Sequence, residues 1–221
     1  ISFALKKGES LGIIGSTGCG KTTIINLLMP FYDVDQGDVL IEGRNVQTFE
    51  LAELRKHFGV VFQNDVLFAD TIFENINFGR GLTREEVTTA AEYAQALPFI
   101  ENLTKGFDSE VAAMGTNFSG GQKQRMLISR ALAAHPEILI LDDSSSALDY
   151  KTDASLRKAL REHFTGTTSI IVAQRISSIY QCDHVMVLED GQCVGYGTHE
   201  ELMENCEIYR EIHESQMRAE A

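Results

Sequence analysis

The chain has 221 residues, 43% of them hydrophobic, enough for one sizeable core, and carries 19 basic against 32 acidic residues, a formal net charge of −13. A nucleic-acid surface needs clustered Lys and Arg facing phosphates, so this balance, with no basic stripe to offset it, argues against one. No apolar run approaches the roughly 18 residues of a spanning helix, no secretion signal is legible, and Cys19, Cys182, Cys193 and Cys206 form no CxxC pair or zinc spacing, so the cytoplasm is the expected compartment.

ISFALKKGES (1–10) alternates apolar and polar residues and opens without Met, which predicts strand-like structure and a domain of a longer polypeptide. SLGIIG (10–15) reads as a buried strand and KTTIINLLM (21–29) as a helix that stops before Pro30. DVLIEG (38–43) and FGVVFQ (58–63) read as strands around a helix at ELAELRKH (50–57). TREEVTTAAEYAQALPFIENL (83–103) has helical periodicity and no strand signal, which predicts a helical insertion. Alternation then returns. SGGQKQRMLISRALAA (119–134) and ASLRKALREHF (154–164) read as helices, EILILD (137–142) and TSIIVAQ (168–174) as buried strands. HVMVLEDGQCVGYG (184–197) reads as a hairpin about Asp190-Gly191, and Thr198-x-x-Glu201 as the cap of the next helix. The order favours an α/β fold with a mainly parallel sheet.

GSTGCGKT (15–22) matches GxxxxGK[ST] and lies where that motif must lie, between a buried strand and a helix. Backbone N–H groups of the loop Gly15, Ser16, Thr17, Gly18, Cys19 and Gly20, with Thr23 in the first helical turn, can converge on a polyphosphate at a helix N-terminus. Lys21 can reach the β and γ phosphates, and the Thr22 hydroxyl can ligate Mg²⁺. Cys19 fills a free position, as packing or spacer. ILILD (138–142) brings Asp142 to the same sheet edge, where ligands of open α/β sheets bind, as the Mg²⁺ acid. Asp143 follows as a second acid suited to handling a water. NFSGGQKQR (117–125) lacks the GK[ST] ending; Ser119 and Gln122 fit a capping box around Gly120 and Gly121, which leaves both simple capping and a second anion site open.

Together these motifs resemble the nucleotide-binding domain of ABC transporters over essentially the whole chain. GSTGCGKT resembles Walker A, SGGQ the signature, ILILDD Walker B, SALD (Ser146, Ala147, Leu148, Asp149) the D-loop, and Gln63 the Q-loop glutamine that senses Mg²⁺ and the attacking water. The resemblance implies a P-loop NTPase core with a mainly parallel sheet, a small antiparallel part and a helical subdomain over about 64–135. It also implies ATP and Mg²⁺ as ligands, a transmembrane domain on the same polypeptide, and a second nucleotide-binding domain whose ATP is contacted in trans by Ser119–Gln122. LFADTIFENINFG (67–79), DSEVAAMGTNFSGGQ with Glu110 at its acid, and GTHEEL (197–202) resemble the exporter group, at the cytoplasmic face of the plasma membrane. The adenine-stacking aromatic of the family would lie upstream of residue 1.

Two positions depart from the family. Asp143 stands where exporters carry Glu, one methylene shorter, and Gln174 stands where the switch histidine is expected. Glutamine donates amide hydrogen bonds but carries no imidazolium charge. The pair resembles the degenerate subunit of a heterodimeric exporter, of a kind that suits a Gram-positive or thermophilic bacterium: its own site slow, its SGGQ completing the partner's competent site. The alternatives are a homodimeric exporter with a slow but working Asp143, a non-enzymatic ATP-dependent clamp, and a soluble ABC ATPase of DNA repair or translation. Acid balance and the exporter-like 67–79 stand against the last.

Overall fold

A computed structural model describes residues 1–220. In chain order the elements are β1 (Ser10–Gly15), α1 (Lys21–Leu28), β2 (Leu40–Ile41), β3 (Arg44–Asn45), α2 (Leu51–Lys56), β4 (Phe58–Val61), β5 (Asp70–Thr71), α3 (Ile72–Asn77), α4 (Arg84–Tyr93), α5 (Leu97–Glu101), β6 (Glu110–Val111), α6 (Gly120–Leu132), β7 (Ile138–Asp142), α7 (Tyr150–His163), β8 (Thr168–Val172), β9 (His184–Glu189), β10 (Gln192–Gly197), α8 (His199–Asn205) and α9 (Glu207–Glu220). Six strands form one sheet in the order β10-β9-β1-β8-β7-β4, parallel throughout except β10. β2 with β3 and β5 with β6 form two small antiparallel pairs. This is the α/β architecture with a mainly parallel sheet that the sequence pattern predicts.

The central strands are buried on both faces, which is why they read as continuous aliphatic runs rather than alternating ones. Their side chains still divide by the two-residue period. Ile14, Leu139, Leu141, Ile171, Val185 and Val187 enter one core with α3, α4 and α6, while Leu11, Ile13, Ile140, Ile170, Val172 and Met186 enter the other with α1. Each such aliphatic contributes about 1.5–3 kcal/mol by leaving water.

Several local expectations are refined. Residues 1–6 have no regular structure. Their alternation shows only as burial, Phe3 and Leu5 packing on the second core, because no strand among the described residues supplies a ladder. DVLIEG pairs only at Leu40–Ile41, since Glu42 and Gly43, both at positive φ, turn the chain back onto β3. The 83–103 stretch is two helices, broken where Gln95 takes φ 61° and Pro98 sits in the first turn of α5. The helix placed from Ala154 begins at Tyr150, with Asp149 accepting from the Thr152 N–H at 2.9 Å as its cap. The Asp190-Gly191 hairpin and the Thr198–Glu201 capping box are present as read.

Candidate functional site

Because β1, β4, β7, β8 and β9 run parallel, their C-terminal ends open at one edge of the sheet. There lies a cleft of about 460 Å³, within the range of small-molecule sites, lined by residues 14–18, 20–23, Gln63, Asp142, Asp143, Val172, Gln174, Leu188, Glu189, Ile208 and Ile212. Of the site residues predicted from sequence, it gathers Gly15, Ser16, Thr17, Gly18, Gly20, Lys21, Thr22, Thr23, Gln63, Asp142, Asp143 and Gln174.

The loop after β1 folds tightly for steric reasons. A Cβ on Gly15 would stand 2.2 Å from the Leu188 carbonyl oxygen and 2.7 Å from the Cys19 sulfur, so only glycine fits. Gly20 takes φ 106° as it turns into α1. Cys19 is buried beneath the loop, which makes it packing. Lys21 Nζ donates to the Gly15 and Ser16 carbonyl oxygens, each at 2.8 Å, which holds its charge at the mouth of the loop.

Asp142 is buried at the end of β7, and the Thr22 hydroxyl donates to its Oδ2 at 3.4 Å. Burial, and secondly the charge of Asp143, push the Asp142 carboxyl above the usual aspartate range. Asp143 takes left-handed backbone, φ 51°, as the chain leaves the strand. Its Oδ2 accepts from Gln174 Nε2 at 2.7 Å, while Oδ1 is buried without a hydrogen-bond partner among the described residues. Burial raises this carboxyl too, against the opposing pull of Gln174, Lys21 and Arg175. An orphaned carboxylate oxygen, a buried acid and a hydroxyl beside a cationic glycine loop fit a polyphosphate carrying a hard cation, and the oxygen donors for Mg²⁺ would be Thr22, Asp142 and Gln63.

Ser119–Gln122 do not enter the cleft. Ser119 Oγ accepts from the Gln122 N–H at 3.3 Å and Gln122 Oε1 from the Ser119 N–H at 2.9 Å, the predicted capping box. A Cβ on Gly121 would lie 3.1 Å from the Ala147 carbonyl oxygen, so this helix start and the Ser146–Asp149 loop form one neighbouring surface. Ser146 and Asp149 are exposed and Leu148 is buried. Glu110 is exposed in β6 beside Lys105.

Two groups escaped the sequence reading. Arg175 donates to the Ser145 carbonyl and, at 3.0 Å, to the Leu148 carbonyl, which ties the segment after β8 to the Ser146–Asp149 loop. Its neighbour Gln174 was the only local signal. Gln216, forty-two residues beyond Gln174, grips the same segment and left no local signal at all.

The family model described as ABC transporter matches residues 1–146. A Staphylococcus aureus protein named as a candidate multidrug export ATP-binding/permease protein is 43% identical over 217 residues, 98% of this chain and 38% of that protein. An ATP-dependent lipid A-core flippase of Hahella chejuensis is 41% identical over 218 residues, 98% of this chain and 37% of its own length. The solved structure of a bacterial Atm1-family ABC exporter with ATP bound superposes with a TM-score of 0.93 at 38% identity, covering 98% of this chain and 38% of that one. The chain thus spans about two fifths of these relatives. Fold, motif order and extended identity agree, and the chain belongs to the ABC transporter family as a nucleotide-binding domain of the exporter type.

Proposed function

We propose that this domain binds Mg-ATP and, as part of a longer transporter chain, powers export across a membrane, with its own site holding ATP far longer than it hydrolyses it. Residues 15–23 hold the phosphates. Thr22, Gln63 and Asp142 hold Mg²⁺, which supplies charge neutralisation on the phosphate oxygens. The observation that carries the reading is the 2.7 Å bond from Gln174 Nε2 to Asp143 Oδ2. The side chain at the switch position commits an amide hydrogen to the neighbouring acid, and that acid is about 1.5 Å shorter in reach than glutamate. A misplacement near 1 Å costs on the order of a hundredfold in rate.

The transmembrane domain lies on the same polypeptide, a reading supported by the 38% share of a relative named ATP-binding/permease. The partner is a second nucleotide-binding domain on a different subunit, whose ATP is completed by Ser119–Gln122 and whose loop meets Ser146–Asp149. The setting is the cytoplasmic face of a bacterial membrane, in keeping with relatives from Staphylococcus aureus and Hahella chejuensis. Mg-ATP affinity and turnover, measured separately, test the site. Tight binding is expected with turnover at least tenfold below that of the D143E/Q174H double variant; equal turnover contradicts the reading.

A further inference from the structure

The C-terminal helix α9 runs back along the nucleotide cleft. Ile208, Ile212 and Gln216 recur every four residues and so share one helix face. Ile208 and Ile212 line the cleft and pack on the core, while Gln216 reaches the segment that follows β8. Gln216 Nε2 donates to the Gln174 carbonyl oxygen at 2.7 Å, and Gln216 Oε1 accepts from the Ile176 N–H at 2.9 Å. One side-chain amide therefore pairs with the backbone on both sides of Arg175, as a neighbouring strand would. It does so in a gap. The β8 ladder ends with the Ala173 N–H on the Ile13 carbonyl, and the next local structure is the single 3₁₀ turn Ile176–Ser178.

That short segment carries two side chains with work to do. Gln174 donates to Asp143 in the cleft, and Arg175 donates to the Ser145 and Leu148 carbonyls beneath the Ser146–Asp149 loop while its guanidinium lies 4.8 Å from the Tyr150 ring centroid. We propose that Gln216 is a positioning residue of the nucleotide site. By fixing the backbone of 174–176 it sets where the Gln174 amide and the Arg175 guanidinium point, so the docking of α9 governs both the acid that handles water and the loop offered to the partner domain. The proposal rests on the cleft being an ATP site and deepens that reading.

The variants Q216A and Q216E separate positioning from packing. Q216E keeps an acceptor for the Ile176 N–H, but its ionised carboxylate has no hydrogen to give Gln174; protonated, it regains one. The residual turnover of this site at saturating Mg-ATP, read in the assembled pair with the glutamate after the partner's Walker B aspartate replaced by glutamine, is expected to fall about tenfold in both variants, from a displacement well under 1 Å, with KM within about twofold of the parent. The Q216E deficit relative to the parent is expected to shrink as pH falls toward its carboxyl pKa, while the Q216A deficit stays level. Parent-like turnover in either variant overturns the proposal. So does a loss that is the same in both at every pH and follows a fall in melting temperature. Should Q216A fail to fold, the pH course of the Q216E-to-parent ratio decides alone. A parent chain that does not bind Mg-ATP in the initial titration refutes the nucleotide reading instead, before any variant is compared.

Discussion

Asp142 and Asp143 are adjacent acids to which different tasks are proposed, and burial is the largest influence on both carboxyls. For Asp142 the folded carboxyl lies above its unfolded value, so between the ordinary aspartate pKa of about 3.9 and the raised one the folded chain binds more protons than the unfolded chain. Stability therefore falls as pH rises through that window, and the full cost of the buried charge persists above it. Asp142→Asn removes this share: its urea midpoint should decline less than the parent's from about pH 4 upward and exceed the parent's near neutrality; parallel curves would remove the burial argument. Asp143 adds a backbone consideration. At φ 51° a short side chain that can bond locally is tolerated better than a longer one, so Asp143→Glu should raise the turnover of this chain's own site, read with the partner's catalytic glutamate replaced by glutamine, about tenfold while lowering stability slightly. Turnover assays beside thermal melts read both effects, and a rate left unchanged would mean that reach is not what limits this acid.

The elements are joined by buried polar side chains as much as by apolar ones. Arg130 of α6 donates from Nε to the Asn75 carbonyl at 2.8 Å, from one terminal nitrogen to the Val66 carbonyl at 3.0 Å, and from the other to Asn75 Oδ1 at 3.1 Å, with Asp65 3.8 Å away. It thereby fixes the helix that begins at Ser119 to the segment that follows Gln63. Arg130→Met keeps the volume but strands those acceptors, and should cost about 3 kcal/mol in urea unfolding; a loss below about 1 kcal/mol would show that the carbonyls find other partners. What was legible in the sequence was what is local. Period-two and aliphatic runs marked the strands, Ser119 with Gln122 and Thr198 with Glu201 marked helix starts, and Asp190-Gly191 marked a turn, because each signal acts within a few residues. The glycine loop and Asp142 were legible as separate motifs, and parallel strand order brought them together. Arg130, Arg175 and Gln216 were not legible, since each bonds carbonyls or amides far along the chain, and backbone acceptors leave no trace in side-chain identity. The end of DVLIEG and the start of α7 were misjudged because a Glu42-Gly43 turn and an Asp149 cap outweighed the aliphatic pattern.

At the scale of the whole molecule, one sheet edge collects the ends of five parallel strands into a cleft, and a separate exposed surface carries Ser119–Gln122 against Ala147. In the proposed pairing, the domain offers one partial site at its own cleft and another at this outer surface. Ser119→Ala in this chain should lower hydrolysis at the partner's site while leaving Mg-ATP affinity at its own cleft unchanged, readable by turnover and equilibrium titration of the assembled pair; a loss of affinity at its own cleft instead would place the signature in the wrong site. The cleft around Asp143 and Gln174 is proposed to keep ATP rather than cleave it. The most direct measurement takes the assembled two-subunit transporter with the glutamate after the partner's Walker B aspartate replaced by glutamine. Steady-state hydrolysis should fall to a residual of about one hundredth, with ATP still retained on this chain, since a poorly placed base forfeits on the order of a hundredfold; hydrolysis that continues at a substantial fraction of the original rate would show Asp143 to be a working base and contradict the claim.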